Sequence, residues 1–267
     1  MKTGNRDAAA SPFALRDEKQ AAERNAPHVH ILRKGFRCVT DKAGKPVPNG
    51  RSNLELVVDA SEGFIPLWAQ GVILRWQFAD GTLEPFRDPV AAGSAIERVF
   101  GQALLAWGDA APVKFTKSTD AYDFEIVVRT SDDCDPNGCV LASAFFPDAG
   151  RHKLYIYPIF FRQTPQEQLE TLCHEIGHAF GLRHFFALIK EKGSAAELFG
   201  KQNKFTIMNY GSLSQLTTTD KSDLKKLYTL AWSGKLTRIN GTPIKFVKPY
   251  HELPAADGAF AMAAVRG

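Results

Sequence analysis

The eleven residues His174-Glu175-Ile176-Gly177-His178-Ala179-Phe180-Gly181-Leu182-Arg183-His184 constrain this chain more than any other stretch. They spell His-Glu-x-x-His-x-x-Gly-x-x-His, a pattern that chance would place in roughly one chain in 10⁵ of this length. Residues four apart lie on one face of an α-helix, so His174 and His178 can aim their imidazoles at a single point. Glu175 is turned by about 100° from His174 and can sit beside that point rather than on it. On a continuing helix His184 would be carried about 15 Å along the axis to another face, so the helix must stop and the chain must bend back. Gly181 is the natural place, because glycine enters the left-handed conformation that ends helices without a Cβ penalty.

Three neutral imidazoles with an open fourth position describe a catalytic Zn²⁺ site rather than a closed structural one. The bland alternative is a helix with two surface histidines and an unrelated third. Against it, three of the chain's seven histidines fall in this window.

On these residues the chain resembles the metzincin clan of zinc endopeptidases. The clan's second hallmark is a Met-containing turn beyond the third ligand, and Thr206-Ile207-Met208-Asn209-Tyr210-Gly211 fits it. The resemblance implies that Met208 lies as an apolar floor under the histidines, a place suited to a polarizable, unbranched side chain. It also implies for Tyr210, as in the astacin-like and serralysin-like branches, a role as resting zinc ligand and oxyanion support. Metzincins keep a family-specific residue after the third histidine, usually Glu, Ser, Asp or Pro. Phe185 matches none of these, so the family within the clan stays unassigned on sequence.

Composition adds boundaries. With 267 residues, 44% of them hydrophobic, the chain can bury one large core. The net charge is +4, but its basic residues are interspersed with acidic ones, which argues against a nucleic-acid partner. No stretch is apolar for long enough to span a membrane, and residues 1 to 25 lack a hydrophobic signal core. Secretion or export without a visible signal peptide is favoured over a cytoplasmic location, and a monomer is expected. Four cysteines are too few for a disulfide scaffold. Cys134 and Cys139 enclose the turn-forming Asp135-Pro136-Asn137-Gly138 and are expected to form one local disulfide. Cys173 should be a buried free thiol. Arg37-Cys38-Val39 bears a faint likeness to the matrixin propeptide cysteine motif but lacks its Pro and Gly.

Along the chain, residues 1–60 read as an N-terminal extension. It is loosely ordered to about residue 26, with short strands in 28–36 and 53–59. Residues 61–248 read as the catalytic domain and 249–267 as a flexible tail. Strands are expected over 72–78, 113–115, 124–128 and 153–158, and a core-facing helix over 90–107. This β-α-β-β order is shared with metzincin upper subdomains. The resemblance implies an α+β fold with a mixed, mainly parallel five-stranded sheet, an active-site helix and a C-terminal helix. Thr164, Pro165 and Glu167 form a capping box for the active-site helix, and Thr217 caps the last one. Residues 186–205 are expected to form a helix and loop beside the cleft. Asp132, Asp133 and Asp135 offer oxygens of the kind Ca²⁺ takes, although a solvated Asp-rich turn is commoner. Residues 140–147 closely resemble the matrixin edge strand above the cleft. Ala142, Ser143 and Ala144 would pair there with a substrate's main chain. Ser143 stands where matrixins place a histidine ligand of a structural zinc.

The reading that follows is a zinc-dependent endopeptidase acting on proteins or peptides, with His174, His178 and His184 holding the metal and Glu175 as general base. Its alternatives are a zinc-binding protein without protease activity, a latent protease blocked by its own N-terminal extension, and a basic surface-binding module motivated only by pI.

Overall fold

The computed structural model describes residues 11–16, 36–37, 56–60, 63–135, 138–184, 196–199, 206–209 and 214–253. Four strands, β1 (Phe36–Arg37), β2 (Leu56–Asp59), β3 (Ile65–Trp68) and β4 (Ile73–Phe78), precede helix α1 (Pro89–Trp107). Then come β5 (Lys114–Lys117), β6 (Phe124–Val128), β7 (Cys134–Asp135), β8 (Gly138–Val140), β9 (Ala142–Ser143) and β10 (His152–Ile156). Helix α2 (Pro165–Ala179), β11 (Ala196–Phe199), helix α3 (Thr218–Trp232), β12 (Arg238–Ile239) and β13 (Thr242–Val247) complete the order.

The central sheet runs β5-β4-β6-β10-β9. Its pairings are parallel except for β9, which lies antiparallel to β10 at the edge. The α+β fold with a mixed, mainly parallel five-stranded sheet is therefore present. Helix α1 begins where Asp88 accepts from Ala91 N at 2.9 Å, with Pro89 in the first turn. It buries Ala92, Ile96, Phe100, Ala103 and Trp107 against the sheet and α2. Phe100 meets Trp76, Phe115 and Phe124 edge to face, an arrangement that suits the ring quadrupoles.

Several expectations are corrected. The strand near 113 runs over Lys114–Lys117, and that near 153 over His152–Ile156, with Pro158 opening a 3₁₀ turn. The edge strand stops at Ser143, so Ala144 lies beyond it, where the chain leaves the ladder towards Pro147. Within 186–205, residues 196–199 form a strand antiparallel to β2, not a helix; the rest of that segment lies outside the described residues.

The outer segments are better anchored than their composition suggests. Residues 14–16 run along 85–87, with Leu15 bridging Phe86 and Phe13 packed on Phe86 and Phe161. At the other end, β13 pairs in parallel with β3, forming with β12 a second small sheet. The tail boundary at 249 also falls early. His251 N and Nδ1 donate to Asp123 at 2.9–3.0 Å, and the Arg151 guanidinium sits 4.5 Å from the rings of both Tyr122 and Tyr250. The long sequence separation of these contacts hides them from local pattern.

Candidate metal centre

Helix α2 starts as its sequence dictates: Thr164 accepts from Glu167 N at 3.3 Å, and the Glu167 carboxylate accepts from Thr164 N at 2.8 Å. It ends in a Schellman turn. Gly181 has φ +91°, Leu182 N donates to Gly177 O at 3.0 Å and Gly181 N to His178 O at 2.8 Å. This bend brings His184 back.

The three imidazoles meet. His174 Nε2 lies 3.1 Å from both His178 Nε2 and His184 Nε2, and all three residues are buried. His174 Nδ1 lies 2.8 Å from Ile207 O and His178 Nδ1 lies 2.7 Å from Leu182 O. A carbonyl only accepts, so both Nδ1 atoms carry the proton and both Nε2 atoms present lone pairs. Lone pairs that close repel unless a cation lies between them. Tetrahedral Zn²⁺ with bonds of about 2.0–2.1 Å sets its ligand nitrogens roughly 3.3 Å apart. The donor set therefore fits zinc, and among the described residues this is the one group of three or more ligand-type side chains gathered closely enough for a metal.

Glu175 is also buried, 2% exposed, one residue along the same helix. Met208 is buried beneath α2, its Sδ 2.5 Å from where a Cβ on Gly177 would stand. Tyr210 and Cys38 lie outside the described residues. Ala142 and Ser143 form the sheet edge, and two residues past Ala144 the Phe146 ring stands edge-on to His178, centroids 5.5 Å apart. The Cys134–Cys139 disulfide is formed, closing the β7–β8 hairpin just before that edge. Cys173 is the buried free thiol expected, pushed up to about 12 chiefly by burial, with Glu170 adding to the rise.

The acidic loop gives calcium little support. Asp132 Oδ1 accepts from Ile159 N at 2.7 Å and Asp135 Oδ1 from Gly138 N at 3.1 Å, so one carboxylate ties the loop to the 3₁₀ turn after β10 and the other serves the β7–β8 turn. His152 is committed to packing: it stacks on Phe145 at 4.5 Å, and burial holds its pKa below the ordinary histidine value.

Sequence reasoning missed the supports of the Met-containing turn. Asp220 does more than cap α3: its carboxylate takes the Thr206 hydroxyl and lies 3.3 Å from Ile207 N and 2.8 Å from Thr217 N. Ser214 Oγ sits 2.8 Å from Thr206 O and 2.7 Å from Asn209 O. Arg183, next to the third histidine, is only 1% exposed and lies 5.6 Å from the Phe146 ring. Its buried position carries no local sequence signal.

A mainly parallel five-stranded sheet above a helix whose bent end gathers three imidazoles defines a metzincin-type metallopeptidase domain. The chain belongs to the matrixin family of zinc-dependent peptidases, whose model matches residues 82–229, just over half of its length. This supplies the family that Phe185 left open. No curated protein matches the chain significantly. Among solved structures, myroilysin aligns with 13% identity and a TM-score of 0.43, over 64% of this chain and 98% of its own.

Proposed function

We propose that this chain is a zinc-dependent endopeptidase. The observation that carries the reading is the meeting of His174, His178 and His184 Nε2, with the first two oriented by carbonyls that hold their Nδ1 protons. Zinc, when bound, supplies Lewis acidity that acidifies water and polarises a carbonyl oxygen. Glu175 accepts the proton of the attacking water and returns it to the leaving amine. Tyr210 supports the oxyanion, by resemblance to other metzincins. A substrate runs as an added strand along Ala142–Ser143, held by main-chain hydrogen bonds that read little of its side chains. The substrates are proteins or peptides, and release outside the cell is the setting this reading favours.

Digestion of a peptide library with and without a chelator tests the proposal. Internal cleavage that chelation abolishes and zinc restores is expected. No cleavage by zinc-loaded protein would leave a zinc-binding protein without protease activity.

A latent form has one observation in its favour. Strand β1 lies parallel on β8, Phe36 opposite Cys139 and Arg37 opposite Val140, immediately before the edge at Ala142. An N-terminal extension running there would compete with substrate. Activity that rises after limited proteolysis of the extension would support latency; activity of the intact chain at its full level would exclude it.

A further inference from the structure

The bent end of α2 is gripped from two elements that share no local sequence with it. The Trp68 indole N–H donates to Ala179 O at 2.7 Å, and the Tyr228 hydroxyl donates to Phe180 O at 3.0 Å. Tyr228 Oη in turn accepts from Trp68 N at 3.3 Å, and the Trp232 indole donates to Trp68 O at 3.0 Å. All of Trp68 and nearly all of Tyr228 is buried. Carbonyls at the end of a helix have no intrahelical partner, so these two donors satisfy groups that would otherwise be desolvated and unpaired. Burial holds the Tyr228 phenol well above its ordinary pKa, which keeps it a donor.

The carbonyls so held lead into the turn on which the metal geometry depends. Ala179 and Phe180 directly precede Gly181, and Leu182 O two residues on orients His178 through its Nδ1. His184 follows after two more residues. Resting on the zinc reading above, we propose that Tyr228 and Trp68 are positioning residues for the metal centre: they clamp the 179–180 carbonyls and so set His178 and His184. Trp68 ends β3, which lies outside the span matched by the family model and is held by β13 through Ile65–Trp68 against Ile244–Val247, with Ala69 N donating to Val247 O at 2.9 Å. The C-terminal strap thus belongs to the support of the zinc site.

The test is zinc affinity, measured by chelator competition well below the melting temperature, with the visible spectrum of the cobalt-loaded protein as a second readout. Tyr228→Phe keeps the ring and removes only the hydroxyl, and it is expected to weaken zinc binding about tenfold, in the range seen when outer partners of metal ligands are lost. The cobalt bands should shift as well. Leu224→Val, a buried neighbour on the same face of α3 with no polar link to α2, controls for stability. It should lower the melting temperature and leave zinc affinity and spectrum unchanged. If Tyr228→Phe fails to fold, Trp232→Phe carries the test, with an expected loss of about threefold in zinc affinity. Zinc affinity within twofold of the unaltered protein and an unmoved cobalt spectrum in whichever variant folds would overturn the clamp. Failure of the unaltered protein to take up zinc would instead overturn the zinc reading itself.

Discussion

Gly177→Ala is the most revealing single change in the active-site helix, because two effects of opposite sign meet there. Alanine in a helix interior is favoured over glycine by about 0.5–1 kcal/mol. At this position, however, the new Cβ would stand 2.5 Å from Met208 Sδ, with Met208 Cε and the Trp107 ring both at 3.4 Å. Comfortable contact lies at roughly 3.5–4 Å, so the sulfur must retreat by about 1 Å or more. Met208 is 1% exposed, and Trp107 is fixed by its indole bond to Cys173 O at 3.0 Å, so neither can swing into solvent. Overpacking of this kind costs about 1–3 kcal/mol. The net effect should be a loss of about 1–2 kcal/mol, read as a lower midpoint in chemical denaturation with an unchanged slope. A displaced Met208 also moves its neighbour Ile207, whose carbonyl orients His174, so zinc affinity should fall roughly tenfold. The cycle with Met208→Ala decides the cause. In that background the sulfur is gone, and Gly177→Ala should become stabilising by about 0.5–1 kcal/mol. A stabilising Gly177→Ala in the unaltered protein, or the same loss in both backgrounds, would refute the reasoning.

Glu175→Ala should retain one zinc per chain and lose about 10²–10⁴-fold in peptide hydrolysis, measured by metal analysis alongside a fluorogenic assay. Asp220→Ala strands the Thr206 hydroxyl and Ile207 N and removes one arm of the α3 capping box, so unfolding should become easier by about 2–4 kcal/mol. Burial depresses the His152 pKa in the fold, opposed by Asp148, so between that lowered value and 6.5 the unfolded chain binds the extra proton. Stability should therefore fall as pH drops below about 6.5, and His152→Phe, which preserves the stack on Phe145, should lessen that fall in denaturation curves taken from pH 7 to 5.

How much of this was legible in the sequence depends on the range of the interaction. Thr164 with Glu167, Gly181 ending α2, and Cys134 with Cys139 are all decided within a few residues, and spacing alone reveals them. The meeting of the three histidines follows from helix periodicity plus that one glycine. The contacts of Trp68 with Ala179, Tyr228 with Phe180 and His251 with Asp123 are separated by 111, 48 and 128 residues. Nothing local encodes them. Strand β13 is equally hidden: Pro243 at its second position argues against a strand, and its side chains are half-buried or exposed without a clean alternation. The docking of residues 11–16 carries no local signal, because Ser11-Pro12-Phe13-Ala14-Leu15-Arg16 is too short to show a helical or strand period and its Phe13 and Leu15 find their partners about 70 to 150 residues away.

Anomalous diffraction at the zinc absorption edge, from crystals of the protein purified without added chelator, tests the central claim most directly. A single strong peak about 2.0–2.1 Å from Nε2 of His174, His178 and His184 is the predicted result. No peak there, or a metal held elsewhere while the three rings stay empty, would contradict it.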